Sequence, residues 1–312
     1  MALFRELAEQ YSGRNVVFSP AGAEGIIRSL RTGTAGKTRE ELSRLNCGAP
    51  SEAASTYSSC AIFADETLKL RPGLSSVQRV PLTQDKAAAI QHINSWAMNA
   101  TGGHIPALLT PGVLSPNSRM LVCDALYFSA EWEQAFSTEL TETDTFTRTD
   151  GSRVQLEMMD SGETEFAAAG GKNWRAVAIP YSKTDTKLYF VAILPRADAH
   201  GFAARFTADK LDIIRRKLSK PQQTASVFLP RFRAESELMD LSEPLRKLGV
   251  QQIFTDKADF SPWTTTDTLQ LAAVRQKAGV EVTESGTAAA AIISGVLPGV
   301  SSPMYHRKGR SR

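Results

Sequence analysis

Histidine and cysteine are both scarce: the 312 residues hold four His and three Cys. A hydrolase needs a nucleophile beside an activating base. Neither His92, His104, His200 nor His306 adjoins a Gly-x-Ser-x-Gly elbow or a cysteine signature, so a catalytic triad has no support. His-x-x-x-His, Cys-x-x-Cys and Asp-rich calcium patterns are lacking, and so are Gly-rich phosphate loops; no metal and no cofactor are expected. Cys47, Cys60 and Cys123 cannot all pair within one chain; free thiols are expected in preference to a Cys47–Cys60 bridge. An excess of one charge is missing too, with 36 basic against 33 acidic residues. That balance gives no argument for nucleic acid or membrane as a partner. No apolar run is long enough to cross a bilayer. The opening MALFRELAEQYSG has early acidic residues and no apolar h-region, so no secretory signal is read there. A cytoplasmic location, or secretion by a non-classical route, is the expectation.

What is present is an ordinary globular composition, 42% hydrophobic and 22% charged. Leu3, Phe4, Leu7, Ala8 and Tyr11 recur at helical spacing before Gly13. Val16, Val17 and Phe18 then read as a short strand ending at Ser19-Pro20. Residues 22–31 read as a helix, and Thr38 with Glu41 as a capping box that starts another. Residues 89–99 put Ala89, Ile93 and Trp96 on one helical face, and Gly102-Gly103 stops it. Residues 120–128 are apolar on both alternating faces, as in a central buried strand, with Asp124 the exception. Further strands are read at 175–180, 187–194, 226–232 and 272–284, with a helix at 236–248. Helices first and strands after them point to an α+β fold in one interlocked domain. Asn99-Ala100-Thr101 is a glycosylation sequon, relevant only on the secretory route.

One segment fits two states. Residues 281–300, EVTESGTAAAAIISGVLPGV, are uncharged from Ser285 onward. Alanine favours helix, whereas Thr287, Ile292, Ile293 and Val296 lean towards strand. Laid into a sheet, the run would send Thr287, Ala289, Ala291 and Ile293 to one face and Ala288, Ala290, Ile292 and Ser294 to the other. Neither face would bury a charge, and Gly286 would act as a backbone joint. A plain Ala-rich helix or a loose tail is the competing reading.

Glu284-Ser285-Gly286-Thr287-Ala288-Ala289-Ala290-Ala291 resembles the reactive-loop hinge of the serpins, which are suicide protease inhibitors. Other stretches resemble that family in order: Asn15 to Pro20, Gly33 to Leu42, Ile93-Asn94-Ser95-Trp96 with Thr101-Gly102, Asp124 to Phe128 with Trp132 and Phe136, and Phe228 to Phe232. The resemblance implies one serpin domain over 1–312, with helices around a large central sheet, smaller sheets, and an exposed reactive-centre loop at about 284–303. It also implies no enzyme activity of the chain's own. A target protease cuts the loop, which then inserts into the sheet and traps the acyl-enzyme. The serine class is the expected target and the cysteine class the alternative.

Counted from Glu284, the family register places the reactive bond between Val300 and Ser301. A small apolar Val300 suits an elastase-like pocket. The resemblance pairs Glu284 with Arg231 at the top of the sheet, near Trp132. Lower down it implies a polar cluster of two serines, an asparagine and a histidine. Here Ser19 is kept, while Gly22, Asp124 and Gln276 stand at the other three places. The family continues after the loop into an apolar hairpin, whereas here Pro303-Met304-Tyr305 is followed by the basic septet 306–312, a candidate polyanion-binding element. A fragment of a cleaved molecule, a truncated or alternatively spliced product and a divergent tail are the three readings of this end. The altered cluster and missing hairpin leave a second reading open, a non-inhibitory serpin-like binding protein or an inactive truncated product.

Overall fold

The computed structural model describes residues 1–45, 56–74, 76–105, 107–182, 187–220, 223–265 and 268–298. Cys47, Val300, Ser301 and the basic septet therefore lie outside the described residues. Helices α1 (Ala2–Gln10), α2 (Pro20–Thr32) and α3 (Gly36–Ser43) come first, then strands β1 (Thr56–Asp65) and β2 (Val77–Val80) and helix α4 (Lys86–Ala100). Strands β3 (Ser118–Glu131), β4 (Glu142–Thr147), β5 (Arg153–Asp160), β6 (Phe166–Gly171), β7 (Trp174–Pro180) and β8 (Tyr189–Pro195) follow. Then come α5 (Ala199–Ala204), α6 (Ala208–Ser219), β9 (Gln223–Ala225), β10 (Phe228–Pro230), β11 (Phe232–Glu235), β12 (Met239–Asp240), α7 (Ser242–Lys247), β13 (Ala273–Val282) and β14 (Gly286–Pro298).

The large mixed sheet runs β11-β13-β14-β3-β1-β2, with β12 paired to β13. Smaller sheets run β10-β5-β4 and β8-β7-β6-β9. The central strand is where the sequence puts it: Met120, Leu121, Val122, Cys123 and Ala125 of β3 are fully buried. Helix α2 begins at Pro20, whose fixed φ suits a first turn, and the Ser19 hydroxyl accepts the Gly22 amide at 3.2 Å as an N-cap. Its Ala23, Ile26, Ile27 and Leu30 pack into the core against one face of the sheet. Each such aliphatic side chain contributes ~1.5–3 kcal/mol by leaving water. Helix α4 is capped by Asp85 and buries Ala89, Ile93 and Ala97 on the opposite face of the sheet; Trp96 is half-buried.

Four local expectations are corrected. Residues 16–18 form no regular strand; Val16 and Phe18 only lean on the core. Thr38 and Glu41 do not make a capping box, because both are drawn into tertiary contacts. The Glu41 carboxylate accepts the Gln251 and Gln252 amides at 2.8 and 2.7 Å, and the Thr38 hydroxyl accepts the Asp259 amide at 3.0 Å. The run 226–232 is split between two sheets, β10 and β11, with Arg231 at the crossing. The helix expected at 236–248 shrinks to α7, because Met239 and Asp240 pair with Gln276 and Arg275 as β12.

On the outer side, an open trough runs between the β6–β8 sheet, α6 and β10. Leu194 and Phe228, each 64% exposed, line it with Ile213 and Phe146, and Arg175, Arg196 and Arg216 rim it. Among the described residues no element covers it.

Candidate functional site

Residues 286–298 of the expected exposed loop are not exposed as a loop in this structure. Residues 286–298 form β14, antiparallel to both neighbours, with Thr287 opposite Val282 and Val296 opposite Ala273 on β13. On its other side Gly286 faces Glu131 and Leu297 faces Met120 of β3. The physical reason is in the run itself. Every inward position is small or apolar, so a central slot costs no buried charge, and both neighbours satisfy its backbone donors and acceptors. Face alternation follows the expected period of two: Ala290 and Ile292 pack towards α4 with Ala97, Ile105 and Ala125, while Leu297 enters the core under α2. Gly286 is required by close approach and not as a joint: a Cβ there would lie 2.2 Å from the Ala130 carbonyl oxygen and 2.8 Å from the Glu131 Cα.

At the entry end, polar and aromatic groups grip the hinge. Glu284 is buried, and its carboxylate accepts the Thr141 hydroxyl at 3.0 Å and lies 3.7 Å from the Arg231 guanidinium. Arg231 also pairs with Glu157, so its charge is shared between two carboxylates. The Trp132 indole donates to the Thr283 carbonyl at 2.9 Å, and the Trp132 amide donates to Ser285 at 2.9 Å. Tyr181 stacks on the Trp132 ring at 4.8 Å. The structure brings Glu284, Arg231 and Trp132 to one end of the sheet, together with Thr141, Glu157 and Tyr181, which the sequence did not flag.

Midway down, one register row crosses four strands: Gln276 of β13, Ile293 of β14, Asp124 of β3 and Cys60 of β1. Helix α2 lies over this row. The Gln276 side chain exchanges two hydrogen bonds with the Ser19 backbone, accepting its amide and donating to its carbonyl, both at 3.1 Å. Asp124, 2% exposed, packs against Gly25, where a Cβ would stand 2.4 Å from Oδ1. Asp124 Oδ2 has no hydrogen-bond partner among the described residues. Burial pushes its carboxyl up to about 7, with Arg28 pulling weakly the other way. Cys60 Sγ lies 3.0 Å from the Ser29 hydroxyl and is a free thiol, raised to about 11 by burial. Buried Cys123 is also free. Ser19 and Gly22 lie at the start of α2 and Asp124 and Gln276 on the strands beneath that helix, but Asp124 and Gln276 do not touch: β14 separates them. The groups the sequence did not flag are Gly25, Ser29 and Cys60, for which only the helix crossing gives a signal.

With this geometry in place, the comparisons are specific. The family model "Serpin (serine protease inhibitor)" matches residues 1–308, and the chain belongs to the serpin family. Mouse plasminogen activator inhibitor 1 is 30% identical over 334 residues, covering 96% of this chain and 82% of the mouse protein. Pig leukocyte elastase inhibitor is 29% identical over 333 residues, covering 94% and 86%. The solved viral serpin CrmA superposes with a TM-score of 0.83 at 24% identity, covering 96% of this chain and all of that one. These relatives are named protease inhibitors and not enzymes.

Proposed function

We propose that this chain is a suicide-substrate inhibitor of a serine protease, acting through cleavage and insertion of the segment around 284–303. The single observation that carries the reading is β14, which occupies the central slot of the large sheet along its full length. In the active form this segment is presented to the protease as a substrate. The protease serine attacks the Val300 carbonyl, an ester forms, and the amine of Ser301 leaves. The freed segment then takes the β14 position and carries the acylated protease with it. Glu284, Gly286, Thr287 and Ala288 to Ala291 act as the hinge, Arg231 and Trp132 hold its entry, and Ser19, Asp124 and Gln276 govern the parting of β3 from its neighbour. A valine before the cut favours an elastase-like target. Incubation with elastase-like and other serine proteases should yield a denaturant-resistant covalent complex. Clean cleavage without such a complex refutes inhibition.

One observation favours a second reading. With β14 already inserted, the sheet has no slot left, as expected for a non-inhibitory binding protein or an inactive product. Cutting near residue 300 separates the two: a large rise in melting temperature supports inhibition, and no change supports the second reading.

A further inference from the structure

We propose that Asp124 couples insertion of the 286–298 strand to the uptake of one proton, so that acidity drives the loop into the sheet. The inference rests on the loop-insertion reading above and deepens it. With β14 in place, the Asp124 carboxylate has Gly25 of α2 above it, the Ile293 backbone on one side and Cys60 on the other. Gln276, the amide of the same row, is one strand further off and spends both ends of its carboxamide on Ser19. Strand β14 brings no charge at all. Of the titratable groups around Asp124, Cys123 on β3 is a buried thiol and Cys60 on β1 an exposed one whose sulfur is partly desolvated; both are raised and protonated, and neither donates a charge. Among the described residues, exposed Arg28 on α2 is the one cation acting on it. Oδ2 has no donor among the described residues. A carboxylate in that position is neutral most cheaply by binding a proton.

Removal of β14 changes every part of this. If the gap between β3 and β13 stays open, water reaches Asp124. If the two strands close, they come to about 4.8 Å apart, and the Gln276 carboxamide becomes a neighbour able to donate to the carboxylate. Either way the ionised form regains donors and its affinity for a proton returns towards the ordinary carboxylate value. The sign follows: the inserted state has the higher proton affinity, so insertion is favoured as pH falls through about 7 and gains tenfold per unit below that.

Hydrogen–deuterium exchange on the intact chain tests this. Its readout is the opening constant of the peptide covering 286–298, corrected for the pH dependence of intrinsic exchange. In the wild type that constant should rise about tenfold between pH 6 and pH 8, or about 1.4 kcal/mol. In Asp124→Asn it should be flat, while peptides from β7 and β8 should be flat in both proteins. An opening constant in the wild type that does not change with pH overturns the proposal alone, whether or not the variant folds. The same result follows if Asp124→Asn keeps the wild-type slope. Exchange of 286–298 as fast as an unstructured chain at every pH overturns this proposal together with the insertion reading beneath it.

Discussion

Ala291→Glu is the sharpest test of the buried strand. Ala291 is 2% exposed and faces Ala278 of β13 and Leu126 of β3 in register. An ionised glutamate there has no partner, so it protonates instead. Against an unfolded value near 4.3, neutralisation at about pH 7.5 costs roughly 4 kcal/mol, and the extra volume adds ~1–3 kcal/mol. At about pH 5 the protonation cost falls below ~1 kcal/mol, leaving mainly the packing cost. With roughly 2 °C per kcal/mol for a chain of this size, the melting temperature should drop by about 10–14 °C near pH 7.5 and by roughly half of that near pH 5. The sign is that of a raised carboxyl: the variant loses stability as pH rises. Melting followed by circular dichroism at both pH values measures it, with exposed Ser285→Glu as the control. If Ala291→Glu melts within about 1 °C of that control at both pH values, residues 286–298 are not held in the sheet. With a protease, the same variant should be cut without forming the covalent complex.

Gly286→Ala places a methyl group inside van der Waals contact of the β3 backbone, so it should cost ~3 kcal/mol in denaturant unfolding; an unchanged midpoint would show that the two strands do not approach there. Arg231→Ala removes a half-exposed guanidinium from buried Glu284, which keeps its Thr141 hydrogen bond, and should change stability by less than ~1 kcal/mol while speeding exchange at Thr283 to Ser285; a loss above ~2 kcal/mol would contradict the shared-charge geometry. Asp65→Ala strands the amides of Thr67 and Thr83 around a fully buried site and removes one of the partners of the Arg119 guanidinium, and should cost ~3 kcal/mol in the same assay. Phe228→Asp should reduce binding of an apolar fluorescent dye by lowering the apolarity of the trough, and undiminished emission would locate dye binding elsewhere.

Much of the fold is legible because its signals are local. Helix α2 is read at 22–31, α4 has its apolar spacing and glycine stop, and β3 an apolar run that only a doubly covered strand tolerates. Readings fail where the deciding partner is far along the chain. The run 226–232 is continuous in hydrophobicity, yet the chain passes from one sheet to another at Arg231, and no local pattern marks the change. Met239 and Asp240 sit within a helical spacing but are claimed by β13. Strand β14 is the clearest case. Its alternation and lack of charge were visible, and these are the conditions for entering a sheet, but they hold equally well for a segment waiting outside it. Only pairing with strands more than a hundred residues away on one side selects the inserted state.

Two carboxylates buried on adjacent strands of the large sheet, Asp65 and Asp124, show why Asp124, and not burial in general, is the feature that matters. Asp65 on β1 is fully buried, and burial alone would raise it. The hydroxyls and amides of Thr67 and Thr83 nevertheless hold it below the ordinary range, and Arg119 adds a cation 3.2 Å away. Its stabilising contribution is therefore present above about pH 4 and lost only in acid. Asp124, on the adjacent strand, has Gly25 where a donor could stand and a neighbouring row position filled by β14. The donors of Asp65 come from its own strand end and nearby turns, so they persist whether or not residues 286–298 are inserted. Those available to Asp124 depend on which strand lies next to β3. A carboxylate whose donors depend on sheet occupancy is necessarily a reporter of that occupancy, and by reciprocity its proton biases the occupancy in return.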